Sequence, residues 1–141
     1  SSSLLRNWSC VRVADGPPSN KMKYFLVITG GALGALLRFL ISEIIEKIPF
    51  LFFPLGIIFV NITGCFLLGL LISSFDQKYH DIYEPLLIVG FLGAFTTFSA
   101  FSRETFQLID QGNFLTVFVY ILITVMGCLF ATWLGMQIGE N

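Results

Sequence analysis

The sequence predicts an all-α membrane protein with four transmembrane helices, the third of which is broken near its middle. Of the 141 residues, 55% are hydrophobic and only 12% are charged, whereas about 25% of the residues in a soluble domain are charged. The apolar residues gather in four long runs, and glycines and hydroxyl side chains interrupt the third run. This composition leaves almost no room for a soluble part.

Each of the four runs is long enough to cross a bilayer as a helix, which takes about 20 apolar residues. The runs cover roughly residues 24–45, 54–75, 85–109 and 114–138. Pro54 and Pro85 stand where proline suits the first turn of a helix. The segment Asp110–Asn113 contains a glycine and an asparagine that can end one helix and cap the next. We therefore expect four helices joined by short connections.

The first twenty-one residues differ from the rest of the chain. Residues 1–21 lack the apolar stretch of 7 to 15 residues that marks a secretory signal. They are predicted to be an upstream extension, a remnant of an expression vector or a disordered tail, and the sequence leaves these alternatives open. Residues 22–141 are predicted to form one membrane domain.

Several classes of function are disfavoured by the residue content. A net charge of −1 provides no basic field for nucleic acid, and no phosphate-binding G-x-x-x-x-G-K-[ST] motif is present. Cys65 and Cys128 lie in apolar runs without a C-x-x-C pair, which favours small apolar fillers over a zinc or redox site. Because no combination of nucleophile, base and orienting group is visible, we do not expect an enzyme.

The basic residues specify the orientation in the membrane only weakly. Four spans place both ends of the chain on one side, together with Lys21, Lys23 and Lys78. Lys47 and Arg103 belong to the other side. Since orientation follows the excess of Lys and Arg in the loops of one side, so small a difference suggests that the chain inserts both ways round.

Two polar side chains lie within the first two runs. Arg38 is about two-thirds of the way along the first helix, where a charge must face a wet cavity or extend toward the interface. Asn61 lies seven residues into the second helix among apolar neighbours. A deep amide either bonds helices together or lines a path, and both interpretations stay open from the sequence.

The third run contains the stretch Gly90–Glu104, which reads G-F-L-G-A-F-T-T-F-S-A-F-S-R-E. A single serine or threonine in a membrane helix commonly bonds to its own backbone. Four hydroxyls in this short stretch exceed that explanation, namely Thr96, Thr97, Ser99 and Ser102. Because Gly93 lets the backbone depart from a helix, we expect a break here. A broken helix exposes carbonyl groups to a cation and amide groups to an anion.

The aromatic residues of this stretch allow two interpretations. Phe98 and Phe101 are three residues apart and share one face of the helix. Ordinary packing explains such a pair. Alternatively, the edge of a phenyl ring carries the positive part of its quadrupole, so that an edge can face a small anion.

The fourth run carries two stripes with a spacing of four residues. One stripe is polar and comprises Tyr120, Thr124 and Cys128. The other consists of small residues, Gly127, Ala131, Gly135 and Gly139. Small residues at this spacing let helices approach closely, so we expect tight packing within the subunit and across a dimer interface. No carboxylate is expected deep in a span, since Glu43 and Glu104 are near span ends.

Three blocks of the sequence together resemble the small fluoride channels, the Fluc or CrcB family. The blocks are G-G-A-L-G-A-L-L-R-F, G-I-I-F-V-N-I-T-G-C-F-L-L-G and the stretch Gly90–Glu104. They occur in the family's order, and the resemblance covers the chain after about Lys23. It implies a passive fluoride exporter of the cell membrane, a multi-pass subunit of an antiparallel, dual-topology dimer with two pores.

The resemblance also implies roles for particular residues. Those matched to the fluoride pore are Asn61, Phe98, Ser99, Phe101, Tyr120 and Thr124. Arg38 matches an arginine of the pore vestibule. A structural sodium ion at the dimer centre would be bound by the backbone carbonyls of Gly93 and Thr96. The partners implied are fluoride, a second copy of the chain and the lipid bilayer.

Some positions of the chain depart from the family pattern. Ile57 follows Gly56 where many members have threonine, Ala100 replaces a common threonine, and Cys128 stands where a hydroxyl is expected.

A proton-coupled multidrug exporter of this size needs a carboxylate in mid-membrane, and the first span has none there. A non-conducting scaffold or half of a heterodimer stays possible from the sequence, and flux through the purified protein alone distinguishes it from a channel.

Overall fold

The computed structural model describes residues 19–47, 54–74 and 79–140, and all regular elements within these ranges are helical. Four helical spans are long and apolar enough to cross a membrane. They are α1 (Asn20–Glu46), α2 (Leu55–Ser74), the third span (His80–Asp110) and α6 (Phe114–Gly139). The four transmembrane helices predicted from the sequence are thus confirmed.

The third span is made of several pieces. It begins with the short helix α3 (His80–Tyr83) and continues as a π-helical segment (Glu84–Leu92). The single turn α4 (Gly93–Phe95) follows, and after a break the span ends as α5 (Phe98–Asp110). The span starts five residues before the predicted Pro85, and no pattern in the sequence indicated its π-helical geometry.

The starts of the first and third spans lie side by side. α1 begins at Asn20, so that Lys23 belongs to its first turns. The Lys23 Nζ atom lies 3.0 Å from Asp81 Oδ1 at the start of the third span. Of the extension predicted for residues 1–21, residues 1–18 lie outside the described part of the chain.

α1 packs closely along the π-helical segment, and glycines permit the contact. Gly30 and Gly34 are the only described residues of α1 that are buried. A Cβ atom on Gly30 would collide with the Leu86 carbonyl, and one on Gly34 with the Phe91 carbonyl. Since the contacts on both elements advance together along the chain, α1 and the third span run in the same direction.

α2 and α6 form the second close pair, and they also run in the same direction. Gly127 faces Ile62 near the start of the contact, and Gly139 faces Ser73 near its end, so that the contacts advance together along both helices. The small-residue stripe predicted on α6 therefore packs within the subunit, as expected. The opposite faces of α1 and α6 expose many large apolar side chains, including Phe25, Leu115 and Phe118. Such faces suit contact with lipid.

Candidate functional site

The third span is interrupted at two consecutive threonines. Thr96 has ψ 153° and Thr97 has φ −152° and ψ 125°, so both backbones are extended. The break near the middle of the third helix is thus confirmed, but its cause differs from the prediction. Gly93 is helical, with φ −60° and ψ −32°. β-Branched threonines tolerate the extended conformation well, and the chain departs from the helix there instead.

The Asn61 side chain bridges the break from α2. Its Oδ1 accepts a hydrogen bond of 2.8 Å from the Thr97 N–H, and its Nδ2 donates one of 3.1 Å to the Thr97 carbonyl. In a continuous helix the Thr97 N–H would bond to the Gly93 carbonyl. Asn61 is only 7% exposed, and its amide satisfies backbone groups that the break would otherwise leave unpaired inside the membrane.

Thr97 also starts the next helix. Its Oγ1 accepts a hydrogen bond from the Ala100 N–H, which caps the N-terminus of α5, and lies 3.0 Å from the Ser99 Oγ. Helix N-termini present unpaired N–H groups and a partial positive charge. The break therefore brings hydroxyls and a helix N-terminus together beside the buried amide of Asn61.

A cavity of about 440 Å³ opens at the break between the third span, α2 and α6. Six of the nine residues predicted for the pore, the vestibule and the cation site line it, namely Asn61, Gly93, Thr96, Phe98, Phe101 and Thr124. Ser99 and Tyr120 do not line it, and Arg38 lies elsewhere. The lining thus combines the polar groups of the break with apolar rings and thiols.

The two predicted phenylalanines lie side by side, as the spacing suggested. The ring centroids of Phe98 and Phe101 are 5.3 Å apart, with the rings tilted by 44°. Phe101 is buried and stacks on Tyr120 at 5.2 Å, while Phe98 is 76% exposed. Tyr120 therefore stands behind Phe101 and fixes its ring, whereas Phe98 projects from the subunit surface.

A buried carboxylate lies on the far side of this aromatic group. The Tyr120 hydroxyl donates a 2.5 Å hydrogen bond to Glu104 Oε2, and both residues are buried. Glu104 is near the end of the third span, as predicted, but its burial and its partner were not foreseen. The pairing joins residues sixteen apart on α5 and α6, which no local pattern reveals.

The Thr124 hydroxyl is bonded within its own helix. Its Oγ1 donates a 2.7 Å hydrogen bond to the Tyr120 carbonyl and is buried. The oxygen retains acceptor capacity, while its single hydrogen is used in this bond. Thr96 behaves alike, because its Oγ1 donates to the Leu92 carbonyl at 2.9 Å.

Arg38 lines a second cavity of about 350 Å³, which α5 also borders. Arg103 joins it there, opposed by Glu43 and Glu46, so that the charges are mixed rather than uniformly basic. Ala100 of α5 also lines this cavity, whereas Phe98 and Phe101 line the first. Neighbouring faces of α5 thus border both cavities.

Four membrane spans, with a cavity between three of them at a helix break that a buried amide bridges, are the architecture of a membrane transport protein. The family described as CrcB-like protein, Camphor Resistance (CrcB), matches residues 25–136. The chain belongs to this family, which confirms the resemblance found in the sequence. It is accordingly a multi-pass protein of the cell membrane and a transporter rather than an enzyme.

Close relatives cover nearly the same length of chain. A protein of Pseudoalteromonas translucida (strain TAC 125) named "Fluoride-specific ion channel FluC" is 43% identical over 115 residues, which is 80% of this chain and 96% of the relative. A protein of Bacillus cereus (strain ZK / E33L), "Fluoride-specific ion channel FluC 2", is 46% identical over 115 residues, covering 81% and 94%. One of Azobacteroides pseudotrichonymphae genomovar. CFP2, also "Fluoride-specific ion channel FluC", is 43% identical over 120 residues, covering 84% and 96%.

Proposed function

We propose that residues 22–141 form the subunit of a fluoride-selective channel that lets fluoride leave the cell passively. The relatives' names supply the ion. The structural observation that carries the proposal is the helix break bridged by Asn61, whose polar groups line a cavity between the third span, α2 and α6.

The groups at the break suit an anion that holds its water strongly. A pore for such an ion must replace water with hydrogen-bond donors. The Asn61 Nδ2 carries two hydrogens, and the Thr97 carbonyl takes one of them. The second hydrogen, the Ser99 hydroxyl and the N-terminus of α5 are the donors that we assign to fluoride. The ring edges of Phe98 and Phe101 add weak positive potential without a full charge.

We assign to the fluoride path the residues matched from the family: Asn61, Phe98, Ser99, Phe101, Tyr120 and Thr124. Arg38 serves as the vestibule group. The two cavities bordered by α5 support this order, because Arg38 and Arg103 line the second cavity while Asn61 and Thr124 line the first. An ion that moves along α5 from the second cavity to the first would pass the arginines and then the helix break.

Passive export needs only the membrane potential. An anion gains about 2.3 kcal/mol for each 100 mV when it moves from a negative cell interior outward. The sequence carries no phosphate-binding motif of an ATP-driven pump. A selective pore is therefore sufficient to keep fluoride low inside the cell.

The working channel in this proposal is an antiparallel, dual-topology dimer of identical chains with two pores. Phe98, which we assign to the pore, is 76% exposed on the single subunit, and Gly93 is exposed beside it. A second copy would cover this surface and complete the wall. The small difference in Lys and Arg between the two sides fits a chain that inserts in both orientations.

A structural sodium ion belongs to the same proposal. The Thr97 N–H donates to Asn61 rather than to the Gly93 carbonyl, which frees that carbonyl from its helical partner. The extended Thr96 turns its own carbonyl out of the helix. The carbonyls of Gly93 and Thr96 from two copies would supply oxygen ligands to the ion, and its positive charge would offset repulsion between two fluoride paths.

Growth of fluoride-sensitive cells tests the proposal. A bacterial strain without its own fluoride exporter is grown with fluoride in acidic medium, where undissociated HF enters the cells. Expression of this chain should restore growth and lower the internal fluoride concentration, and Asn61→Asp should do neither. If the wild-type chain is inserted and folded in the membrane yet growth stays as poor as with Asn61→Asp, the proposal fails.

A further inference from the structure

Two cysteines share the wall of the cavity at the helix break. Cys65 of α2 and Cys128 of α6 both line it, and the contacts between α2 and α6 place them at the same level. Neither is in a disulfide, and both are partly exposed. Water and small ions in the cavity therefore have access to the pair.

The packing of α2 on α6 holds this pair in register. Gly127 faces Ile62 on one side of the cysteines, and Gly69 faces the Thr132 carbonyl on the other. Both contacts are so close that a Cβ atom on either glycine would collide. Since the two helices run in the same direction, Cys65 and Cys128 are fixed opposite each other between these contacts.

Neither thiol is among the residues assigned to the fluoride path. A thiol is a weak hydrogen-bond donor and a poor substitute for water around fluoride. Two facing thiols are instead good ligands for a soft metal ion, because thiolate sulfur favours soft ions. No cluster of three or more Cys, His, Asp or Glu side chains occurs in the described ranges. The pair thus offers two ligands, which suits ions that prefer linear two-coordination over tetrahedral zinc.

We propose that Cys65 and Cys128 form a binding site for a soft, two-coordinate divalent metal ion that plugs the cavity. Binding forms two metal–sulfur bonds, breaks the two S–H bonds and releases two protons to water, without transfer of electrons. Two thiolates neutralise a divalent ion, so that no net charge is buried. The site by itself is independent of the transported ion, whereas the block of transport rests on the proposed function.

Mercuric ion is the probe, and metal retention is the first readout. Because Cys10 offers a further thiol, all proteins carry Cys10→Ser. The purified protein is treated with mercuric chloride, washed with excess glutathione and analysed by native mass spectrometry. One ion should remain per subunit. Cys65→Ser and Cys128→Ser should each retain at least tenfold less, because a single thiol cannot chelate. Equal retention in the parent and in both variants overturns the proposal.

Fluoride efflux from liposomes is the second readout. Mercuric ion should abolish efflux through the parent protein, and a dithiol should restore it. After the glutathione wash, both single serine variants should conduct as they do without metal. If the metal is retained and fluoride efflux is undiminished, the proposal that the bound ion plugs the cavity is overturned. If the untreated protein releases no fluoride, the proposed function fails, and metal retention still decides whether the site exists. Cys65→Ala and Cys128→Ala replace any serine variant that does not fold.

Discussion

The two halves of the third span differ in what they contact and in the groups they present. The π-helical segment Glu84–Leu92 packs on α1 through backbone-to-backbone contacts at Gly30, Gly34 and Gly90. α5 presents hydroxyls, a capped N-terminus and the buried Glu104 to the interior. The segment Glu84–Leu92 has no hydroxyl side chain.

Within this one span, the first half therefore holds the helix in place, and the part at and after the break provides the groups of the candidate site. Close glycine contacts fix the first half against α1, whereas the break brings Thr96 and Thr97 to the cavity and α5 lines it with Phe98 and Phe101. Asn61 contributes to both roles, because its amide bonds to the Thr97 backbone at the break and also lines the cavity. Substitutions at the close contacts before the break should therefore change stability, and substitutions of cavity-lining residues at and after it should change transport.

The largest effect is expected at the junction itself. Asn61→Asp keeps an acceptor for the Thr97 N–H but replaces the amide donor by a negatively charged oxygen. Two like charges about 4 Å apart repel by about 4 kcal/mol at an effective dielectric constant of about 20, which slows passage roughly a thousandfold. Fluoride efflux from liposomes measures this loss. Gln107→Glu, the same change on an exposed part of α5, is the control and should conduct almost normally.

The first half is tested by two adjacent glycines. Gly30→Ala places a Cβ atom against the Leu86 carbonyl, whereas Gly31→Ala brings it only to 3.8 Å from the Gly90 carbonyl. Overpacking of this kind costs about 1–3 kcal/mol. We expect thermal unfolding in detergent at a clearly lower temperature for Gly30→Ala and at an unchanged or higher temperature for Gly31→Ala. Equal temperatures for the two variants would show that the glycine contact does not fix the first half.

The aromatic wall is tested by two exposed phenylalanines on α5. Phe98 is 76% and Phe106 67% exposed, but only Phe98 lines the cavity. Loss of an aromatic contact worth about 1 kcal/mol should reduce the fluoride rate about fivefold in Phe98→Ala. Phe106→Ala should leave the rate unchanged. Similar rates for both variants would remove Phe98 from the path.

The smallest effect is expected from a single hydroxyl on α6. Thr124 and Thr132 both donate to the carbonyl four residues before them. Only Thr124 lines the cavity. Thr124→Val should slow fluoride about two- to fivefold, because the hydroxyl hydrogen would turn from the Tyr120 carbonyl to the passing ion and such a hydrogen bond contributes about 0.5–1 kcal/mol. Thr132→Val should keep the normal rate, and a loss of the same size there would assign the effect to helix packing.

The sequence predicted the spans well and the site in part. Length and apolar character alone define membrane helices, so all four were expected. The break was predicted from Gly93, yet it occurs at Thr96 and Thr97, where a side chain from another helix replaces the lost bonds. The sequence of one segment cannot show such a partner, because it depends on how α2 packs against the third span.

The same limit explains the other differences. The hydrogen bond between Tyr120 and Glu104 joins two helices and left no local pattern. The pairing of Cys65 with Cys128 depends on the register of α2 and α6, although the sequence suggested only small apolar fillers. Position along a span was predictable, whereas contacts between spans required the fold.

Fluoride and chloride efflux recorded together from liposomes test the central claim most directly. The purified wild-type protein, folded and free of other proteins, is reconstituted in liposomes loaded with both ions. The account predicts rapid release of fluoride and retention of chloride, with no release from protein-free liposomes. Trapped fluoride, or chloride released as fast as fluoride, would contradict it.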